Sequence, residues 1–515
     1  MPLIIDIDHV DSVIKSPTYG ESYHWNNFLK HIVVDENQSK KPVGCPEKAV
    51  PVSVFRDHVL REYLEHIANP RAPIAMFVEV NDYKRVIDPR IRVIWLATVR
   101  KIVGYRVLMR WVGANADEAE HDFFVNIGSK GVQGLSNFEI DDGEVCIPPV
   151  FIETKWRRED KFEKNMAEAI KDIQTYQTVH DDFFNERGKI NRQCHLKLGQ
   201  RLELLDYSVS SRVRPARIKA VIGRRVNVVV MKNDCDTQEE DDRQYGAEND
   251  FWVDHSSFFL FPVGWAARNG YRIAAKSDYM RHAHNIAEAH KNGTKPQYHP
   301  NDVTPEQLTE WKKYNDEDSS EWKQGMKFEL MDPLGSTVRD LHVATVLELL
   351  NDGYLKIGID GPDMESDCLP LHCTSPLMFP VGYAKKHGLV LNDPEEEEHF
   401  DWNKYLAQTN SIAAPENFFK ADPSSARLAE FKIGAKLEAS DMVENLLICP
   451  ATVVGIKGRL IMVHFDGWEN GYDQYFDIDS KDLLPLGWCE LHGFKLEKPK
   501  GYIEEGEPKK KKSRK

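Results

Sequence analysis

Short runs of alternating apolar and polar residues recur along the chain, broken by glycines and charged turn residues. RLIMVHF (459–465), the ATVVGIKG that leads into it, and ARIKAVIGRRVNVVV (216–230) follow the period of two that sends successive side chains to opposite faces of a sheet. Several such runs of strand length, with turns between them, predict small β-barrels. Four segments share an apolar–Glu–x–x–Asp core: FVEVND (77–82), RLELLD (201–206), KFELMD (327–332) and KLEASD (436–441). Self-similarity at so long a period marks tandem units. A second mark follows three of them, in FPVGWAARNGYRI (261–273), FPVGYAKKHGLVL (379–391) and LPLGWCELHGFKL (484–496). There proline presets a turn and glycine supplies a φ that other residues resist. Trp265, Tyr383 and Trp488 read as packing anchors of that turn.

Ahead of each barrel lies a longer, partly helical arm. YHWNNFL (23–29) and FDWNKYL (400–406) share a W-N-x-aromatic-L pattern, and a proline-marked stretch follows each, near Pro51 or Pro415. One repeat is therefore an arm plus a barrel. The expected organisation is an N-terminal segment 1–20, repeats over 21–150, 151–275, 276–395 and 396–500, and a basic tail 501–515.

Charge changes the picture at one end only. The net charge is −15, yet PKKKKSRK at the C-terminus holds six positive charges, leaving −21 on the rest. An acidic body disfavours broad binding to nucleic acid, which needs clustered Lys and Arg, and suits basic partners. The run Lys509, Lys510, Lys511, Lys512, Arg514 and Lys515 resembles a nuclear localisation signal. Eight scattered cysteines with no CxxC pair argue against structural zinc or a disulfide framework. No apolar stretch reaches the roughly 18 residues of a membrane span, so a soluble intracellular protein with no membrane partner is expected. There is no GxSxG, phosphate loop or HExxH, so no enzyme and no cofactor are expected.

The candidate chemistry lies in HFDGWENGYDQYFD. Phe465 ends a strand, and Trp468 and Tyr472 follow among Asp466, Gly467, Gly471 and Asp473, which favour a turn over a helix face. Three rings and the carboxylate of Asp441 are what a pocket for a methylated ammonium needs. Ring faces hold a large, poorly hydrated cation at about 0.5–2 kcal/mol per contact. A carboxylate accepts the N–H that mono- and dimethylated lysine still carry and trimethylated lysine lacks.

The arm, KLEASD, LLICPATVV, HFDGWENGYDQYFD and LPLGWCELHGFKLEKP together resemble the malignant brain tumour (MBT) repeat, a Tudor-like barrel that reads methyl-lysine. The resemblance spans roughly residues 20 to 500 and is to the four-repeat class of chromatin proteins, in the form of its nematode members. It implies a mainly β fold with helical arms, and a cage of Asp441, Phe465, Trp468 and Tyr472 with Glu444, Asn445 and Cys449 at its periphery. One position departs, since the family's asparagine three residues after the aspartate is here Glu444, with Asn445 next. In the other repeats the ring positions fall on Trp111 and Ala114, on Met231 and Asn249, and on Ile359, Pro362 and Ser366. Asp82, Asp206 and Asp332 persist without rings and read as turn residues accepting backbone N–H groups. The expected function is a chromatin reader that inserts methylated lysine of histone tails into repeat 4 and contributes to transcriptional repression in the nucleus. The alternative is a scaffold for a repressive complex, with acidic insertions at 116–122 and 234–242 meeting basic partners.

Overall fold

A computed structural model describes residues 22–29, 33–34, 40–41, 48–55, 72–81, 91–135, 144–179, 194–230, 251–308, 321–335, 338–394 and 400–502. The expectations placed on Asp82, Met231, the 234–242 insertion, Asn249 and the basic run 509–515 lie outside them. The chain is mainly β, in four curled antiparallel sheets that share one topology. The fourth consists of Lys436–Ser440, Ile448–Lys457, Leu460–Phe465, Gln474–Asp477 and Leu483–Leu484. The first strand pairs with the second and with the short fifth, so each sheet is a half-barrel. Every long second strand slips register by one residue at the same place, between Val99/Lys101, Ile218/Ala220, Val346/Glu348 and Val453/Gly455. A bulge there bends the strand and tightens its twist, which curls the sheet.

The glutamate of each repeated segment explains how a half-barrel is finished. Glu203, Glu329 and Glu438 are all fully buried. Glu438 Oε1 accepts Gly487 N at 2.7 Å and Oε2 accepts Cys489 N at 2.8 Å, both from the turn after the last strand. Glu329 takes Gly382 N and Ala384 N, and Glu203 takes Gly264 N and Ala266 N, in the same way. The turn glycines sit at φ between 86° and 90°, the left-handed region that aims both amides at one carboxylate. Behind them Trp265, Tyr383 and Trp488 are buried, as packing anchors.

A third donor comes from an arm, and it identifies which arm belongs to which half-barrel. Trp402 Nε1 donates to Glu329 at 2.9 Å, Tyr279 OH to Glu203 at 3.1 Å, and Trp25 Nε1 to Glu438 at 2.9 Å. Parallel pairing to each first strand repeats the assignment: Gln177 beside Ile74, Asp302 beside Arg201, Ile412 beside Met326, and Ala49 beside Lys436. Sequence order attaches each arm to the half-barrel after it. In the fold each arm clasps the half-barrel before it, and the N-terminal arm clasps the fourth. In the first unit Glu79 is 37% exposed, with Arg92 at 4.0 Å, and no such clasp forms among the described residues.

The units also interlock through hairpin tips. Arg106 of the first meets Glu490 at 2.7 Å. Arg225 of the second is fully buried against Asp482 at 2.9 Å. Tyr354 of the third donates to Phe258 O at 3.0 Å, and Arg459 of the fourth to Met378 O at 2.8 Å. Units two, three and four thus contact one another, and unit one rests on unit four.

Substituting Trp25→Phe keeps the ring and removes one donor to a buried carboxylate. It should destabilise the chain by about 1–3 kcal/mol in urea unfolding, and Trp402→Phe should do the same. Burial pushes Glu203 up to about 7, against the pull of the Ala266 and Gly264 amides and the Tyr279 hydroxyl. The folded chain then keeps a proton that the unfolded chain releases above about 4.5. This stabilising contribution is present below that pH and is lost as pH rises through about 7. Glu203→Gln should therefore flatten the fall in melting temperature between about pH 5 and 8.

A candidate recognition pocket on the fourth unit

Two loops meet at one end of the fourth half-barrel. Lys436–Ser440 and Leu460–Phe465 both run antiparallel to the strand between them, so their C-terminal ends lie at the same end. Asp441 follows one, and the segment carrying Trp468 and Tyr472 follows the other.

Asp441 caps its own turn. Oδ1 accepts Val443 N at 2.9 Å, Glu444 N at 3.0 Å and Gln474 Nε2 at 2.7 Å. All three donors converge on Oδ1, and Oδ2 has no donor among the described residues. Gln474 ties this loop to the strand that begins just past Tyr472, and its Oε1 accepts Met442 N at 3.0 Å. Phe465 is 2% exposed and belongs to the core, whereas Trp468 and Tyr472 are 37% and 56% exposed. Their rings meet edge to face, with centroids 5.7 Å apart. The structure therefore brings together an open carboxylate oxygen, one buried ring and two half-open rings. Ring faces and an ionised carboxylate oxygen are the chemistry that attracts a desolvated cation.

The ring-bearing segment is held on every side. Asp466 accepts Lys436 Nζ at 2.6 Å and Thr452 Oγ1 at 2.5 Å. His464 and Asp473 meet at 2.7 Å across the segment. Gly467 has a φ of 81°, and a Cβ there would lie 2.6 Å from Lys500 N, so only glycine fits. From the third unit Arg339 Nη1 donates to Asn470 O at 3.0 Å. The Asp441 loop is held from the second unit, where Arg225 donates to Ser440 Oγ at 2.9 Å and Asn445 O at 3.1 Å. Among the peripheral residues, Glu444 is exposed at this loop. The Asn445 side chain accepts Trp252 N at 3.2 Å and so faces the second unit. Cys449 is buried in the second strand, its thiol pushed up to about 12 by burial. Arg225 and Arg339 are absent from the sequence reading, because their contacts cross from one unit to another.

Strand register locates the equivalent sites elsewhere. Phe465 stands opposite Ala451; its counterparts opposite Ala97, Ala216 and Ala344 are Trp111, Val230 and Ile359. Val230, not Met231, thus takes the first ring position of unit two, since Val230 is the residue that stands opposite Ala216. In unit one, Lys155 donates to Gly113 O, two residues past Trp111, at 2.9 Å and to Glu118 at 2.8 Å. Arg110 pairs with Asp122 through both oxygens, so two acids of the 116–122 insertion are already engaged. In unit two, Asp206 spends Oδ1 on Ser208 and Oδ2 on Arg212 and Arg214. Asp332 accepts Leu334 N at 2.9 Å with no rings beside it. These two aspartates cap turns, as Asp441 does.

A family model described as the mbt repeat matches residues 200–280, 326–398 and 435–503, and the first half-barrel, outside those matches, has the same strand order. The chain is 40% identical to Protein lin-61 of Caenorhabditis elegans over 88% of its own length and 74% of that protein's. It belongs to the MBT-repeat family. Malignant brain tumor repeat protein 1 of the same nematode is 31% identical to this MBT-repeat chain, over 96% of it and 89% of the relative. The crystal structure of the four MBT repeats of Drosophila melanogaster Sfmbt in complex with the peptide RHR(me)KVLR matches with a TM-score of 0.70 and 30% identity. The match covers 93% of this chain and 99% of that one.

Arg339→Ala removes the bond to Asn470 O without touching the core. Amide exchange over 468–473 should speed by about three- to tenfold, the effect of losing one hydrogen bond, while exchange in the second unit stays unchanged.

Proposed function

We propose that this MBT-repeat chain is a non-catalytic reader of mono- and dimethylated lysine on histone tails, acting through the fourth repeat. The observation that carries the reading is that Asp441 collects its donors on Oδ1, at the same end of the sheet as the half-exposed Trp468–Tyr472 pair and the buried Phe465. A methylated lysine inserts its head group among the rings, and its remaining N–H donates to Oδ2. Trimethyllysine has no N–H to give and gains only the ring contacts. Glu444, exposed beside Asp441, adds negative potential at the mouth. The Sfmbt repeats bound to a methylated peptide support the same class of ligand. Nuclear action follows from the basic run Lys509–Lys515, and repression from the family resemblance. Few ring contacts and one charged bond supply micromolar-to-millimolar affinity, so targeting draws on partners in a chromatin complex.

A scaffold reading draws on a separate observation: in units one and two the chain's own Lys155, Arg212 and Arg214 pair with Glu118 and Asp206. Calorimetric titration with un-, mono-, di- and trimethylated histone-tail peptides separates the two. The reader reading predicts binding that depends on methylation and falls at least about tenfold in both Trp468→Ala and Asp441→Ala. Binding that survives both changes, or no binding of any methylated peptide, leaves the scaffold reading.

A further inference from the structure

The segment that follows the fourth half-barrel passes over the pocket loop. Glu497 N donates to Ile448 O at 2.9 Å, and Tyr502 N to Pro499 O at 3.0 Å. Tyr502 packs edge to face on Tyr23 of the N-terminal arm, with centroids 5.0 Å apart. Between these anchors the backbone of Pro499 and Lys500 lies against Gly467, where a Cβ would come within 2.9 Å of Pro499 Cβ and 2.6 Å of Lys500 N. The side chain thus starts from a fixed backbone one residue from Trp468. Its ammonium stands over the Trp468 ring, 5.9 Å from the centroid. In unit one the segment after the half-barrel makes a comparable approach. A Cβ on Gly113 would lie 2.4 Å from Trp156, and neighbouring Lys155 donates to Gly113 O.

We propose that Lys500 is a further determinant of ligand affinity at the fourth repeat, a cation from the chain itself that competes with methyl-lysine for Trp468. The proposal rests on the reader function above. A ring's quadrupole attracts either cation, and the two repel each other whether they share one face of the indole or take opposite faces. An incoming methylammonium must displace Lys500 or bind against its charge. Removing that charge, by substitution or by acylation of the amine, strengthens binding. The exposed setting makes the opposition sensitive to salt.

The test uses the full chain, titrated calorimetrically with RHR(me)KVLR and its unmethylated counterpart, in wild type, Lys500→Ala, Lys500→Gln, Lys500→Glu, Lys500→Arg and Trp468→Ala. The expected result is tighter methyl-dependent binding in Lys500→Ala and Lys500→Gln, by about three- to tenfold at low salt. Lys500→Glu should gain more, Lys500→Arg should stay at the wild-type value, and the gain should shrink as salt rises. Methyl-dependent binding that needs Trp468 but is unchanged or weakened in Lys500→Ala overturns the Lys500 proposal and leaves the reader function standing. Absence of methyl-dependent binding in every variant overturns the reader function, and this proposal with it.

Discussion

A buried carboxylate with three donors underlies the rest of the structure. Glu203, Glu329 and Glu438 each sit in the first strand of a half-barrel, with no solvent to support their charge. Removing an ion from water costs several kcal/mol, and only a complete set of donors offsets that. Two donors come from the turn that ends the sheet, and the third from an aromatic residue on an arm. One side chain therefore fixes the closing turn and the clasping arm at once. The Trp25–Glu438 bond joins residues 413 apart in sequence, so the N-terminus completes the fourth unit. The first unit, where no such clasp forms among the described residues, contacts the fourth through Arg106 and Tyr105.

The pocket inherits its shape from that arrangement. Its carboxylate loop is held by Arg225 of unit two and its ring-bearing loop by Arg339 of unit three. Units two and three thus support the candidate site of the fourth. Preorganisation of this kind matters where the available binding energy is small, because each loop ordered on binding subtracts from it. The distribution of polar contacts follows the same division. Asp206 has both oxygens occupied, whereas Asp441 collects its donors on one oxygen and presents the other.

Much of this was legible in the chain. Alternation locates the strands, the glycines and acids around Trp468 mark a turn, and the recurring aspartates carry the turn chemistry seen in their bonds to Ser208, Leu334 and Val443. The W-N pattern at Trp25 and Trp402 was visible as a repeat, but not its purpose. A hydrogen bond to a glutamate in a different unit leaves no local signature. The glutamates appeared in all four segments, yet a glutamate in an alternating strand is ordinarily solvated, and nothing local shows that it is buried. Met231 lies one residue beyond the position that the ladder sets opposite Ala216, so Val230 and not Met231 matches Phe465. Asn445 carries the chemistry of a cage residue, but its orientation toward Trp252 depends on how units two and four pack.

The most direct test is a crystal structure of the full chain with a peptide carrying dimethylated lysine. The account predicts the dimethylammonium group in the fourth unit, its nitrogen within hydrogen-bond distance of Asp441 Oδ2 and its methyl groups against Phe465, Trp468 and Tyr472. A head group seated in another unit, or a peptide bound with the Asp441 loop and these rings unoccupied, would contradict it.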